Sequence, residues 1–160
     1  MAATLLCGCK EKIGPDLSGA WKLESQVTLD GTLTGEEFYL LCNDVFVEAG
    51  QPGHYTMEAT CSIGPQAFTI GEVTLGGKTV SKAKEICTEI TEYGWRSVPV
   101  PSRFARDPAA KADFVSMQRK VDKSLDDVDW NQEPCERLVE QKDGRIKTID
   151  EGVMVHWMRP

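Results

Sequence analysis

At 160 residues the chain has the length of a single domain, and its 41% apolar and 27% charged composition is that of a folded protein, not a disordered one. With 25 acidic against 18 basic residues, its net charge of −7 disfavours nucleic acid, whose phosphates demand clustered lysine and arginine. The densest basic cluster, Arg119-Lys120 with Lys123, stands beside Asp122, Asp126 and Asp127, so a basic partner is the natural expectation. No run reaches the roughly 18–20 apolar residues of a membrane-spanning helix.

The chain opens Met1-Ala2-Ala3-Thr4-Leu5-Leu6-Cys7-Gly8-Cys9-Lys10, small and apolar up to Leu6 and charged from Lys10. The tetrad Leu6-Cys7-Gly8-Cys9 resembles a bacterial lipobox, in which an apolar residue and two small ones precede the cysteine that is acylated. The resemblance implies cleavage after Gly8, lipid on Cys9, a signal remnant over residues 1–9 and a polar tether over 10–17. A single domain then spans 18–160. A full signal also carries a basic segment and about 7–15 apolar residues; these do not fit ahead of Cys9, so the resemblance implies a start upstream of Met1. Lys10 stands where that class places an aspartate for inner-membrane retention. The implied address is the periplasm, on the inner leaflet of the outer membrane.

Setting Cys7 and Cys9 aside leaves Cys42, Cys61, Cys87 and Cys135. An even number in an exported domain implies two disulfides. Three pairings are open and the sequence does not choose among them; Cys42–Cys61 with Cys87–Cys135 is taken as the working pair, each closing a moderate loop. No Cys-x-x-Cys occurs, so neither a zinc ribbon nor a thioredoxin-like redox site is expected.

After the Gly14-Pro15 break, Trp21, Leu23, Val27 and Leu29 read as a strand ended by the turn dipeptide Asp30-Gly31. Thr34-Gly35-Glu36-Glu37 has the form of a capping box, and Phe38, Leu41, Cys42 and Val45 follow at i, i+3, i+4 and i+7. That spacing predicts a helix ending near Gly50, although Tyr39, Phe46 and Val47 would suit a strand. Alternation from His54 to Thr60 and again from Ala67 to Leu75 predicts strands, with Gly76-Gly77 as a turn. A second helix is expected from Ser81 to Gly94 on the stripe Ala83, Ile86, Cys87 and Ile90. Asp107-Pro108 reads as N-cap and first turn of a third, whose face is Phe114, Met117, Val121 and Leu125. A short helix from Glu133 to Asp143, capped by Gly144, and a hairpin of Arg145–Ile149 with Val153–Met158 complete the chain. The expected class is therefore α+β, a small antiparallel sheet packed with three or four helices.

The chemistry-bearing patterns are sparse. Gly76-Gly77-Lys78-Thr79 lacks the leading glycine of a phosphate loop, Glu72 standing in its place. Asp127-Val128-Asp129-Trp130-Asn131-Gln132-Glu133 spaces oxygens as a calcium loop does, but Gln132 and Leu138 occupy the positions that need glycine and glutamate. His54 and His156, the two histidines, lie in no catalytic motif, and Glu36, Glu37, Glu89 and Glu92 form no distinguishable acid–base pair. No cofactor, metal or catalytic residue is expected. Trp95 and Trp130 flank loops, and with Asp126, Asp127 and Asp129 they are the candidate partner-binding residues. The functional expectation is a non-catalytic lipoprotein binding a protein partner, such as an inhibitor or immunity protein of a secreted toxin or an envelope-assembly subunit. The alternative rests on Gly19-Ala20-Trp21, which resembles the Gly-x-Trp opening of lipocalin barrels and implies a carrier of a small apolar ligand. The helices expected in the second half argue against a full barrel.

Overall fold

The computed structural model describes residues 12–27, 38–65, 68–127, 135–150 and 153–160. Within these the strands are β1 (Gly19–Val27), β2 (Phe38–Ala49), β3 (His54–Pro65), β4 (Gly71–Ser81), β5 (Glu85–Ser97), β6 (Cys135–Lys142), β7 (Arg145–Asp150) and β8 (Val153–Met158). Two helices, α1 (Ser102–Ala105) and α2 (Pro108–Asp126), lie between β5 and β6. Each strand runs antiparallel to its chain neighbour, and β8 returns to β1 through Lys22 opposite Met158 and Ser25 opposite Val155, closing a barrel. Closure satisfies the edges that an open sheet leaves unpaired.

This corrects the α+β expectation: the segments 34–50, 81–94 and 133–143 do not form helices where the structure describes them, but strands β2, β5 and β6. On β2 and β6 the physical reason is a break in the pairing. A β-bulge adds one residue and shifts the phase of alternation. On β2 the inward set is Phe38, Leu40 and Cys42 before the irregularity between Cys42 and Asp44, then Val45 and Val47 after it. Phe38, Cys42 and Val45 thereby fall at i, i+4 and i+7, which imitates a helix. On β5, Ile86 and Ile90 point inward by simple alternation, Cys87 is buried on the opposite face by its disulfide, and Thr91 is the bulged residue. On β6 the register shifts between Leu138 and Glu140. Asp143 (φ 50°) and Gly144 (φ 72°) form the tight turn of the β6–β7 hairpin, not a helix cap. Gly76-Gly77 likewise lies inside β4, at its irregular pairing with β5. The capping box 34–37 and the turn 30–31 lie outside the described residues.

The helix expected at Asp107 does form. The Asp107 carboxylate accepts from the Ala109 amide at 3.0 Å with Pro108 in the first turn. Phe114, Gln118, Val121 and Leu125 are its buried face. That face meets the inward ends of β2, β3 and β4 at Phe38, Ile63, Ile70 and Val73, so α2 covers one end of the barrel. Gln118 ties it down by donating to the carbonyls of Ile70 and Val98 at 2.9 and 2.8 Å.

The other end is closed by residues 12–18. Ile13 bridges Lys82, the Gly14 amide donates to the Ser81 carbonyl, and Ser81 Oγ donates to the Pro15 carbonyl at 2.7 Å. A Cβ at Gly14 would stand 2.1 Å from the Lys82 carbonyl oxygen, so glycine alone permits this approach. Between the two ends lies the principal core, including Trp21, Val45, Val47, Met57, Ile86, Ile146 and Trp157. Alternate outward positions such as Asp44, Glu48, Glu58 and Lys78 are exposed. Apolar residues inside and charges outside reverse the pattern of a lipid-embedded barrel.

Candidate functional site

The interior is sealed unevenly. Inward residues of β2 and β3 (Val45, Val47, Met57, Ala59, Cys61) are at most 6% exposed. Toward β5, β6 and β1 the inward positions are mixed: Ile86 and Trp21 are buried, whereas Thr88, Ile90, Glu136, Leu138 and Leu23 are half-buried, as Leu40 and Leu75 are on β2 and β4. Pairing fixes their orientation, since Glu136 lies opposite buried Ile86 and Leu138 opposite buried Thr148. The β5–β6 seam is the short one. Among the described residues it consists of three pairs, from Glu85–Arg137 to Cys87–Cys135, against eleven between β4 and β5. Beyond Cys87, β5 runs alongside α2, where the Tyr93 hydroxyl donates to Asp126 at 2.8 Å.

Two tryptophans set the floor of the barrel interior. Trp21 and Trp157 meet edge to face, with centroids 6.0 Å apart. The Trp21 indole N–H donates to the Leu17 carbonyl at 2.7 Å. The Trp157 indole is 3% exposed, and its N–H has no acceptor. A buried donor left unmet costs about 1–3 kcal/mol. Among the described residues, other inward polar groups are satisfied within the wall: Thr148 donates to the Glu136 carboxylate, and the Thr79 and Thr88 hydroxyls lie 3.2 Å apart.

Arg159 caps the floor from outside, its guanidinium 3.7 Å from the Trp21 ring centroid and donating to the Ser18 carbonyl at 2.6 Å. Asp16 beside it accepts from the Ser18 amide, with Tyr55 Oη 3.3 Å away. The Ser18 hydrogen bonds hold the Asp16 carboxyl below its ordinary range, and burial pushes the Tyr55 phenol up.

Among the described residues, Glu85, Cys87 and Cys135 form a compact group of metal-ligand types, but both sulfurs are joined to each other. A disulfide has no thiolate to give, and the group does not suit a metal. His54 stands exposed at the start of β3 and His156 on β8, opposite Glu24 and Lys147.

Of the residues expected to bind a partner, Trp95 turns into the apolar cluster under α2, where its ring packs on Gly71. Asp126 bonds Tyr93, and Asp127 is the exposed C-cap of α2. Asp129 and Trp130, like the lipobox cysteine Cys9, lie outside the described residues. The disulfides are Cys42–Cys61 and Cys87–Cys135, the working pair. Sequence reasoning missed Trp157 as a site residue; its place in an alternating run spoke only for core. Glu136 was hidden by the helix reading of its segment.

No family model and no curated protein matches the chain. The architecture is that of up-and-down eight-stranded barrels, the type whose interior either fills with side chains or holds one small ligand, as in lipocalins. Gly19-Ala20-Trp21 does open the first strand of a full barrel.

Proposed function

We propose that this protein is a non-catalytic carrier that takes one small, largely apolar molecule with a hydrogen-bond acceptor into its barrel. The observation that carries this reading is the unmet Trp157 indole N–H, buried in an interior whose inward residues toward β5, β6 and β1 include half-buried ones. Leu23, Ile90 and Leu138 supply apolar contact there, and the Trp157 donor orients the ligand's acceptor. The Glu136 carboxylate on the same inner wall disfavours an anionic headgroup, so the ligand is neutral or cationic at that end. Purified protein should retain such a molecule, extractable into organic solvent at one equivalent and visible as a mass shift under native ionisation. Protein that carries nothing, and binds no uncharged apolar probe afterwards, contradicts the proposal.

We also propose that the carrier works outside the cytoplasm on a lipid anchor at Cys9. Two formed disulfides support an oxidising compartment. Metabolic labelling with a radioactive fatty acid should mark the protein expressed in a bacterial host and fail with Cys9→Ala; equal labelling of both sinks the anchor.

A further inference from the structure

The barrel end closed by residues 12–18 is basic, although the protein is acidic. Main-chain bonds gather three turns onto this strap: the Ala83 amide donates to the Lys12 carbonyl, the Ser81 amide to Gly53, and the Arg159 amide to Gly144. The face so assembled carries Lys12, Lys82, Lys84, Lys142, Arg145 and Arg159 against Asp16, Glu85 and Asp143. Glu85 is already paired with Lys82 at 3.4 Å. The next charges along the wall, Lys22 and Glu48, are of opposite sign. With a net charge of −7, the chain holds its acidic surplus elsewhere. Asp44, Glu58 and Glu92 stand midway along the outer wall, and Asp113, Asp122, Asp126 and Asp127 lie on α2 and its C-cap at the other end. β4 alone is 11 residues long, roughly 35 Å of strand, against a Debye length of about 8 Å at physiological salt. A charged surface that meets the strap end therefore feels mainly the basic face.

The same face holds an apolar side chain in the open. Ile13 is 59% exposed, although its backbone is fixed by the bridge to Lys82. Its side chain stands over Gly53, where an added Cβ would lie 3.5 Å from Cγ2. Lys12 flanks it in sequence and Lys82 across the bridge. An aliphatic tip rimmed by lysines suits a bilayer, whose acyl layer takes the apolar group while the ammonium groups reach the headgroups. A soluble polyanion gains nothing from it. The path of the chain points the same way. Cys9 precedes Ile13 by four residues, a reach of at most about 14 Å along extended backbone. A lipid on Cys9 draws the strap end onto the membrane, and not the α2 end.

We propose that the strap end is a docking face for an anionic phospholipid bilayer, with Ile13 entering the interface and Lys12, Lys82 and Lys84 meeting the headgroup phosphates. Delivery to the membrane rests on the anchored reading, whereas the contact itself needs no acyl chain, so the full chain carrying Cys9→Ala tests it. Co-sedimentation is titrated with vesicles of phosphatidylethanolamine and phosphatidylglycerol, and with vesicles of phosphatidylcholine alone. The protein should bind the anionic vesicles saturably, more weakly as salt rises, and the neutral ones at least about tenfold more weakly. Lys12→Gln with Lys84→Gln should weaken binding to the anionic vesicles at least about tenfold, and Ile13→Ser at least about threefold. The charge-matched pair Lys111→Gln with Lys120→Gln, exposed on α2, should stay within about twofold. No binding to the anionic vesicles overturns the proposal, as does equal affinity for the two vesicle types or equal loss in the α2 pair. Unchanged affinity in Ile13→Ser also overturns it, and binding of a short DNA duplex as tight as that of the vesicles would point to an acidic macromolecule instead. Fatty-acid labelling reports on Cys9 alone and uptake of an uncharged apolar probe on the interior alone, so failure of the docking face is told apart from failure of the anchor or of the carrier reading.

Discussion

At the closed end, Arg159 lies against the Trp21 ring and donates to two main-chain carbonyls, Ser18 at 2.6 Å and Ala20 at 3.3 Å. One side chain thus joins the last residues of the chain to the start of β1. Arg159→Ala removes the stacking and both bonds, and the freed carbonyls turn to water. The expected loss is about 1–2 kcal/mol, read from urea unfolding; a change inside error would mean that the strap holds without it. Asp16 gives a pH signature to the same region. Its carboxyl is held below the ordinary value of 3.8, chiefly by the Ser18 amide. A depressed folded pKa means stabilisation that is present above the unfolded value and lost as pH falls from there through the folded one. Wild type should therefore lose stability more steeply than Asp16→Asn below about pH 4, with no difference in slope between them at neutral pH. Parallel acid limbs would remove Asp16 from the account.

At the scale of elements, the two disulfides hold very different seams. Cys42–Cys61 lies inside an eleven-pair ladder, whereas Cys87–Cys135 ends a described seam of three pairs. The sequence separations are 19 and 48, for which loop-closure entropy alone gives about 3 and about 4 kcal/mol. Cys87→Ser with Cys135→Ser should cost the more and should speed amide exchange along β5 and β6. Cys42→Ser with Cys61→Ser should leave exchange at that seam unchanged. Equal exchange patterns in the two variants would show that α2 and not the disulfide keeps the seam shut. The same elements explain how much of the fold was legible. β1, the alternation after His54, the Asp107-Pro108 helix start and the C-terminal hairpin follow from local chemistry, and all four form. The second half was misread because the disulfide buries Cys87 on the outer face of β5 beside inward Ile86, and a bulge at Val139 broke the period of 2 in β6. The β-branched run Ile86, Thr88, Ile90, Thr91 favours a strand over a helix. Asp143-Gly144 was the strongest local hairpin signal in its segment, and reading it as a helix cap concealed β6. The candidate site was less legible still, because Trp157 and Glu136 become a site only when closure brings β6, β8 and β1 around one interior.

At the scale of the molecule, the barrel is two unequal halves. The β2–β4 half is filled by the Cys42–Cys61 bridge, Val45, Met57 and the face of α2. The half bounded by β5, β6 and β1 has half-buried Leu23, Ile90 and Leu138 beside the one buried side-chain donor left unmet among the described residues. A ligand that binds only the folded barrel at a hundred times its Kd should raise stability by about 2.7 kcal/mol. The most direct test is titration with an uncharged, acceptor-bearing apolar fluorophore, following tryptophan emission in wild type and in Trp157→Phe. The prediction is saturable one-to-one uptake with quenching in wild type and roughly three- to tenfold weaker uptake in the variant. The variant's unliganded stability should stay within about 1 kcal/mol, since lost ring volume is offset by removal of the unmet donor. No uptake by the wild type, or equal affinity in the two proteins, would contradict the carrier reading at its centre.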